Sequence, residues 1–115
     1  MDLSKYRAVF VEDATEHLAD MSRALLELEK EPARADSIDL LFRLAHSIKG
    51  MAASLDYGAV TAAAHELEDR MQAIRSRGGV EPGAELAALF DGLAELESRV
   101  REAAAPPKKK ILSRR

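Results

Sequence analysis

Apolar residues recur every three or four positions along most of the chain, and no stretch of strand length alternates between apolar and polar residues. A spacing of three or four keeps side chains on one face of an α-helix, because the helix completes a turn every ~3.6 residues. Four such segments separated by short interruptions predict four helices that each bury one face. The expected fold is therefore all-α, an antiparallel up-down four-helix bundle.

The first two helices are bounded by residues that stop or cap helices. We expect the first helix over residues 3–30, because Pro32 cannot continue a helix. The second is expected to begin at Asp36 or Ser37, either of which can accept hydrogen bonds from the free N–H groups of the first turn. It is expected to reach Ser54.

The last two helices are bounded by glycine and proline. The third is expected over residues 58–77, before Gly78 and Gly79, and the fourth from Pro82, a residue suited to a first helical turn. The residues expected to face the core are Leu3, Tyr6, Phe10, Ala14, Leu18, Met21, Leu25 and Leu28; Leu41, Leu44, Ala45, Ile48, Ala52 and Leu55; Val60, Ala63, Ala64, Leu67, Met71 and Ile74; and Leu86, Leu89, Leu93, Leu96 and Val100.

Charge divides the chain into two parts. Residues 106–115 carry five basic and no acidic residues, so residues 1–105 hold 12 basic and 20 acidic residues and a net charge of −8. We interpret residues 1–105 as one domain and residues 106–115 as a disordered basic linker or tail, with contact to an anionic surface as the alternative. The acidic domain argues against nucleic acid as a partner.

The absence of cysteine and of long apolar runs sets the expected environment. The 115 residues include no cysteine, which excludes disulfides and thiolate chemistry. No apolar run approaches the ~20 residues that cross a bilayer, and the first residues lack the apolar stretch of a signal peptide. We therefore expect a cytoplasmic protein without membrane insertion.

His46 is the residue that best indicates chemistry. At about 100° per residue, it lies roughly 150° from the centre of the apolar stripe of the second helix, so we expect its ring to face solvent. A neutral imidazole is a competent nucleophile near pH 7 when one ring nitrogen is free and an acceptor holds the proton on the other. The placement indicates a phosphoryl group carried on imidazole.

Lys49 and Gly50 follow His46 on the same helix surface. The ammonium group of Lys49 is expected to neutralise an incoming or bound phosphoryl group. Gly50 costs the helix roughly 1 kcal/mol relative to alanine. That cost is explained if a partner must approach the backbone beside His46, and a tight helix crossing is the alternative.

The third helix offers an acceptor for the His46 ring. His65, Glu68 and Gln72 follow one strip of that helix beside its apolar stripe. We predict that Glu68 orients His46 and that His65 is an auxiliary polar residue. His17 is interpreted as a residue at the boundary between core and surface.

The sequence around His46 resembles histidine phosphotransfer (HPt) domains. Residues 46–50 read His-Ser-Ile-Lys-Gly and match the family signature His-x-x-Lys-Gly. Together with residues 42–45, the Leu-Asp-Tyr turn at 55–57 and His-Glu-Leu-Glu at 65–68, they most resemble the N-terminal phosphotransfer domain of the chemotaxis histidine kinase CheA. The resemblance covers residues 3 to 103.

This resemblance implies a role in two-component signalling. The ATP-binding domain of a histidine kinase would phosphorylate His46, and the phosphoryl group would pass to an aspartate of a CheY-like response regulator receiver domain. The lysine and glycine of the family signature fall on Lys49 and Gly50. The family's glutamate that hydrogen-bonds the histidine falls on Glu68, and the histidine three residues before that glutamate falls on His65. ATP would belong to the kinase and magnesium to the regulator, so we expect no cofactor, metal site, ATP binding or kinase activity in this chain, and a monomeric bundle.

Two departures from the family pattern are present. Met51 stands where the family often has a small residue, and its helical phase predicts an inward side chain. CheA-type domains also tend to continue into a fifth helix, for which Pro106, Pro107 and the basic tail leave little room.

Three other interpretations remain open from the residues alone. A di-iron bundle would use Glu-x-x-His motifs, and none occurs here. In the dimerisation hairpin of a sensor kinase an acidic residue normally follows the histidine, whereas Ser47 follows it here. A non-phosphorylated helical-bundle interaction module would leave His46 without a role.

Overall fold

Four α-helices make up nearly all of residues 3–105, the part of the chain that the computed structural model describes. They are α1 (Leu3–Lys30), α2 (Ala35–Ser54), α3 (Gly58–Arg77) and α4 (Ala84–Ala104). Each helix packs against the next, and α1 also packs against α4, so that the four helices close a ring around one core. The predicted all-α antiparallel four-helix bundle is confirmed; the predicted basic tail lies outside the described residues.

The core is built from the apolar stripes of all four helices. Its largest fully buried side chains are Met21, Leu25, Leu28, Ile48, Val60, Met71, Ile74, Leu89 and Leu96. Burying one such aliphatic side chain contributes roughly 1.5–3 kcal/mol. The stripe predicted for α1 is wrong at its start, because Leu3 and Tyr6 are 61% and 51% exposed. With 28 residues against 20 in α2 and 21 in α4, α1 cannot be covered along its whole length by either neighbour, and Leu3 and Tyr6 lie in a part of it that remains exposed.

The starts of α2 and α4 differ from their predicted positions. Helix α2 begins at Ala35, and no side chain caps it, so the predicted caps at Asp36 and Ser37 are wrong. Ser37 is instead 5% exposed and forms part of the buried face of α2. Helix α4 begins at Ala84, two residues after Pro82.

Glycines with positive φ direct the chain between α3 and α4. Gly78 has φ +99°, and its N–H group donates a hydrogen bond to the Ile74 carbonyl at 2.8 Å, which ends α3 as predicted. Gly83 has φ +94° and directly precedes α4. Because this conformation favours glycine, the turn into α4 is completed at Gly83, and Pro82 remains outside the helix.

Helices α3 and α4 approach each other closely at Gly92. A Cβ atom at this position would lie 3.0 Å from Cδ2 of Leu67, a buried side chain of α3. The missing side chain of Gly92 therefore allows the close contact of α3 with α4. No helix within residues 3–105 is long and apolar enough to cross a membrane.

Candidate functional site

His46 lies on the outer face of α2, as its helical phase predicted. Its side chain is 64% exposed, whereas the preceding residue, Ala45, is fully buried. Helix α3 runs antiparallel beside it, so Glu68 contacts His46 while Arg75, two turns further along α3, contacts Asp39, two turns back on α2. The exposed strips of the two helices together form the site.

Glu68 holds one nitrogen of the His46 ring. The distance from His46 Nδ1 to Glu68 Oε2 is 2.8 Å. An ionised carboxylate only accepts hydrogen bonds, so Nδ1 is the donor and carries the ring proton. The lone pair of a neutral ring is then on Nε2, which makes no hydrogen bond within residues 3–105. The predicted pairing of Glu68 with His46 is present in the structure.

Lys49 pairs with the other oxygen of the same carboxylate. Its Nζ atom lies 2.6 Å from Glu68 Oε1, and the exposed fractions of the two side chains are 27% and 12%. Each oxygen of the Glu68 carboxylate therefore contacts a different partner. The carboxylate cannot rotate without losing its contact with Lys49 or with His46. The predicted action of Lys49 on a phosphoryl group stays a prediction, because here its ammonium group contacts Glu68.

The pKa of Glu68 lies below its ordinary value of 4.5. Burial acts to raise this pKa, but the positive charge of Lys49, which is paired with the carboxylate, and the hydrogen bond and charge of His46 outweigh burial and lower it. A carboxyl group with a lowered pKa stabilises the fold above its ordinary pKa. This contribution is complete above about pH 4.5 and is lost as the pH falls through the lowered pKa of Glu68.

Replacing Lys49 should therefore raise the pKa of Glu68. In Lys49→Met the methylene stem is kept and the charge is lost, so burial acts against one fewer cation. We expect the ¹³C titration of the Glu68 carboxyl group to move to higher pH than in the wild-type chain. Lys5→Met is the control, because Lys5 is exposed near the start of α1. An unchanged Glu68 midpoint in Lys49→Met would contradict the ion pair.

The other two histidines do not contact the His46 ring. His65 is 59% exposed, and its Nε2 lies 3.5 Å from Asp69 Oδ1, one turn along α3. The auxiliary role of His65 stays a prediction, although its contact in the structure is with Asp69. His17 is half-buried on α1, and its Nε2 lies 3.2 Å from the hydroxyl of Ser47, so it joins α1 to α2 next to His46.

Phe42 and Arg75 extend the site in a way that the sequence analysis did not predict. The rings of Phe42 and His46 are nearly parallel, with 13° between their planes and 6.4 Å between their centroids. The Arg75 guanidinium carbon lies 4.0 Å from the centroid of the Phe42 ring. The available signal was spacing, because Phe42 is four residues before His46 and Arg75 is seven after Glu68.

Gly50 leaves the backbone of α2 open beside His46. A Cβ atom at Gly50 would meet no atom within 4 Å, and the residue is exposed. A tight helix crossing within residues 3–105 therefore does not explain this glycine. Open space at this position agrees with the expectation that something approaches the backbone here.

An apolar groove lies between α1 and α2 on the side of Met51. It encloses about 310 Å³. Its lining residues are Tyr6, Val9, Phe10, Asp13, Met51, Ser54 and Leu55. Met51, expected to point inward, is half-buried and packs against the core from this groove. The α1 flank is thus apolar near Met51, whereas the α3 flank carries Glu68, Gln72 and Arg75.

The described side chains form no candidate metal-binding site. Within residues 3–105, no group of three or more His, Cys, Asp or Glu side chains is placed to hold a metal ion.

A four-helix bundle with an exposed histidine on its surface is the arrangement of a phosphotransfer domain. The chain belongs to the Hpt domain family, whose model matches residues 5–105. It is 38% identical over 101 residues to the chemotaxis protein CheA of Bacillus subtilis, covering 87% of this chain and 15% of that protein. With CheA of Salmonella typhimurium it shares 34% identity over 90 residues, covering 78% of this chain and 13% of the relative. The chain thus spans about one seventh of the length of these relatives.

A solved structure shows the same fold. The CheA phosphotransferase domain from Thermotoga maritima superposes with a TM-score of 0.79 at 27% identity, covering 91% of this chain and all of that one. These comparisons confirm the resemblance drawn from the signature residues. The chain therefore has the fold of a phosphotransfer domain and belongs to that family.

Proposed function

We propose that Nε2 of His46 accepts a phosphoryl group from a histidine kinase and passes it to an aspartate of a response regulator. The observation that carries this proposal is the 2.8 Å contact of Nδ1 with Glu68 on a ring that is 64% exposed. The contact keeps the proton on Nδ1 and leaves the lone pair of Nε2 free. Exposure gives two large partners access to the same nitrogen in turn.

In the first transfer, the lone pair of Nε2 forms a bond to the γ-phosphorus of ATP held by the kinase. The bond from that phosphorus to the oxygen bridging the β- and γ-phosphates breaks, and ADP leaves with the electron pair. The proton on Nδ1 stays in its hydrogen bond to Glu68. The positive charge that develops on the ring then lies beside a carboxylate of lowered pKa.

In the second transfer, a carboxylate oxygen of the regulator aspartate attacks the phosphorus on Nε2. The N–P bond breaks, and its electron pair returns to the ring, which is neutral again with its proton on Nδ1. A magnesium ion on the regulator would offset the charge of the aspartate and the phosphoryl group. The Glu68 contact thus serves both steps, since it stabilises the ring while phosphorus is attached and restores the same tautomer afterwards.

The partners that fit this chemistry are the ATP-binding domain of a histidine kinase and a CheY-like receiver domain. The kinase supplies ATP and the regulator supplies magnesium, so this chain needs neither a cofactor nor kinase activity of its own. The dependence on ATP supports a cytoplasmic location. The closed ring of helices supports a monomeric bundle, because each helix buries most of its apolar stripe in the core of its own chain.

Radiolabel transfer tests the proposal directly. The chain is incubated with γ-labelled ATP and Bacillus subtilis CheA from which the segment matching this chain has been removed. We expect label on the chain that acid releases and alkali does not, as an N–P bond requires, and loss of that label to an added CheY-like regulator. A chain that stays unlabelled across a panel of CheA-type kinases would favour a plain interaction module.

Regulator docking is expected to cover Gly50 and the apolar groove beside Met51. Gly50→Leu should then block transfer to the regulator by at least tenfold, because the new side chain occupies the surface where the partner must approach. The same change should leave the bundle at least as stable, since leucine is a better helix former than glycine by up to ~1 kcal/mol and a Cβ there meets no atom within 4 Å.

The matched control places the same side chain on a remote helix. Ala94 is exposed on α4, which does not pack against α2 within the described part of the chain, so Ala94→Leu should transfer at the wild-type rate. Stopped-flow transfer rates and thermal unfolding measure the two quantities separately. Normal transfer by a folded Gly50→Leu chain would exclude close approach at this glycine.

A further inference from the structure

Phe42 and Arg75 contact each other beside His46, and neither side chain takes part in the proposed phosphotransfer steps. Arg75 lies over the Phe42 ring at 4.0 Å, within the range of a cation–π interaction. Its Nη1 atom donates to Asp39 Oδ1 at 3.1 Å, and its Nη2 atom donates to Gln72 Oε1 at 3.0 Å. The guanidinium group is therefore held by both helices while it covers the ring.

The contact with Glu68 leaves one degree of freedom of the His46 ring undetermined. A single hydrogen bond restricts where Nδ1 lies, but rotations about the Cα–Cβ and Cβ–Cγ bonds of His46 can still tilt the ring plane while that contact is kept. The lone pair of Nε2 lies in the ring plane, so such a tilt redirects it. With 64% of the side chain exposed, few packing contacts oppose that motion.

The Phe42 ring is placed to set this remaining angle. Its plane is within 13° of the His46 plane, and the centroid separation of 6.4 Å falls in the range of offset-stacked aromatic pairs. Phe42 is itself half-buried and packs against the core. A ring anchored in the core and covered by Arg75 offers a fixed surface for a mobile imidazole.

We propose that Phe42, held by Arg75, is a positioning residue that sets the ring plane of His46 and so aims the lone pair of Nε2 at the incoming phosphorus. The inference rests on the proposed function for its kinetic consequence, but the ring orientation it describes does not depend on any partner. Phe42 acts through His46 and does not touch the transferred group.

The proposal also explains why the cation at position 75 is arginine. A guanidinium group is planar and presents several N–H donors, so it can lie over a ring while donating to Asp39 and Gln72 together. A lysine ammonium group keeps the charge but is a single point with a flexible stem. Arg75→Lys should therefore loosen Phe42 even though the net charge is unchanged.

The kinetic test uses phosphoramidate, a small donor that removes partner docking from the measurement. Nε2 attacks its phosphorus, the N–P bond of the donor breaks, and ammonia leaves. We expect Phe42→Leu to lower the rate of His46 phosphorylation roughly fivefold and Phe42→Tyr to restore it. With the CheA kinase lacking its own matching segment, kcat should fall by a similar factor while KM stays unchanged.

A matched control separates positioning from general loss of aromatic packing. Phe90 is also half-buried against the core, but it lies on α4, which does not pack against α2 within residues 3–105. Phe90→Leu should lower stability without changing the phosphoramidate rate. A rate for Phe42→Leu equal to that of the wild-type chain would overturn the proposal.

A spectroscopic measurement tests the ring orientation without any phosphoryl donor. The ¹³C order parameter of the His46 Cδ2–H bond reports how far the ring moves on the picosecond-to-nanosecond timescale. We expect it to fall in Phe42→Leu and Arg75→Lys and to stay high in Phe42→Tyr and Phe90→Leu. If the wild-type chain takes no phosphoryl group, the proposed function fails and this measurement alone decides; an unchanged order parameter in Phe42→Leu overturns the inference.

Discussion

The His46→Gln chain should take up no label from a CheA-type kinase and γ-labelled ATP, while it keeps the fold of the wild-type bundle. The amide group of glutamine is not a nucleophile near pH 7, so no other atom at this position can attack phosphorus. The side chain is 64% exposed, and exposed substitutions change the free energy of unfolding by only about 0.5 kcal/mol or less. Gel autoradiography and thermal unfolding measure the two quantities.

His65→Gln is the matched control for the loss of His46. It removes an exposed imidazole from α3 that contacts Asp69 and not His46, so this chain should still accept label. A lower rate of labelling in His65→Gln would assign it the auxiliary role that its position suggested. Label on His46→Gln at the wild-type level would move the acceptor to a different side chain.

Glu68→Gln should slow phosphorylation by on the order of tenfold to a hundredfold, as expected when the partner that orients a reacting imidazole is lost. The neutral amide loses the ion pair with Lys49, so one of the two contacts that fix the side chain disappears. It can also turn its NH₂ group toward Nδ1. Nδ1 of His46 then accepts a hydrogen bond from the amide, and the ring proton moves to Nε2. The lone pair that Nε2 needs for the attack on phosphorus is no longer available.

Ring ¹⁵N shifts distinguish the two tautomers of His46 directly. In the wild-type chain we expect the proton on Nδ1, and in Glu68→Gln a substantial share of it on Nε2. Glu66→Gln is the control, because this neighbouring carboxylate is exposed and lies 3.7 Å from Arg70, away from His46. Equal tautomer shifts and equal rates in the wild-type and Glu68→Gln chains would show that the 2.8 Å contact has no part in the reaction.

Helical phase accounts for the parts of the site that could be predicted from the sequence. The exposure of His46 and the facing position of Glu68 follow from which side of α2 and α3 is apolar, and this is a local property of each helix. The same reasoning predicted four helices, whereas the end of α3 at Gly78 was predicted from the preference of glycine for the position after a helix. It works because burial of an apolar stripe, and not any long-range detail, decides how each helix is turned.

The features that could not be predicted depend on how the helices are placed against one another. Whether Lys49 reaches Glu68, and whether Arg75 covers Phe42, depends on the register of α3 along α2 and on long flexible side chains. The exposed start of α1 likewise depends on where the neighbouring helices end. The start of α4 depends on the positive φ of Gly83, a backbone conformation that the sequence alone does not reveal. For this reason the helix was predicted to begin at Pro82.

Helix α4 packs against α1 and α3 but not against α2 in the described part of the chain, so it lies diagonally across the bundle from His46. Because the sequence contains no cysteine, a cysteine introduced at the exposed Ala94 would be its only thiol. Coupling through that thiol would attach every molecule to a sensor chip by α4 and leave His46 exposed to the solution. The bundle thus offers a handle for oriented immobilisation on the side opposite its chemistry.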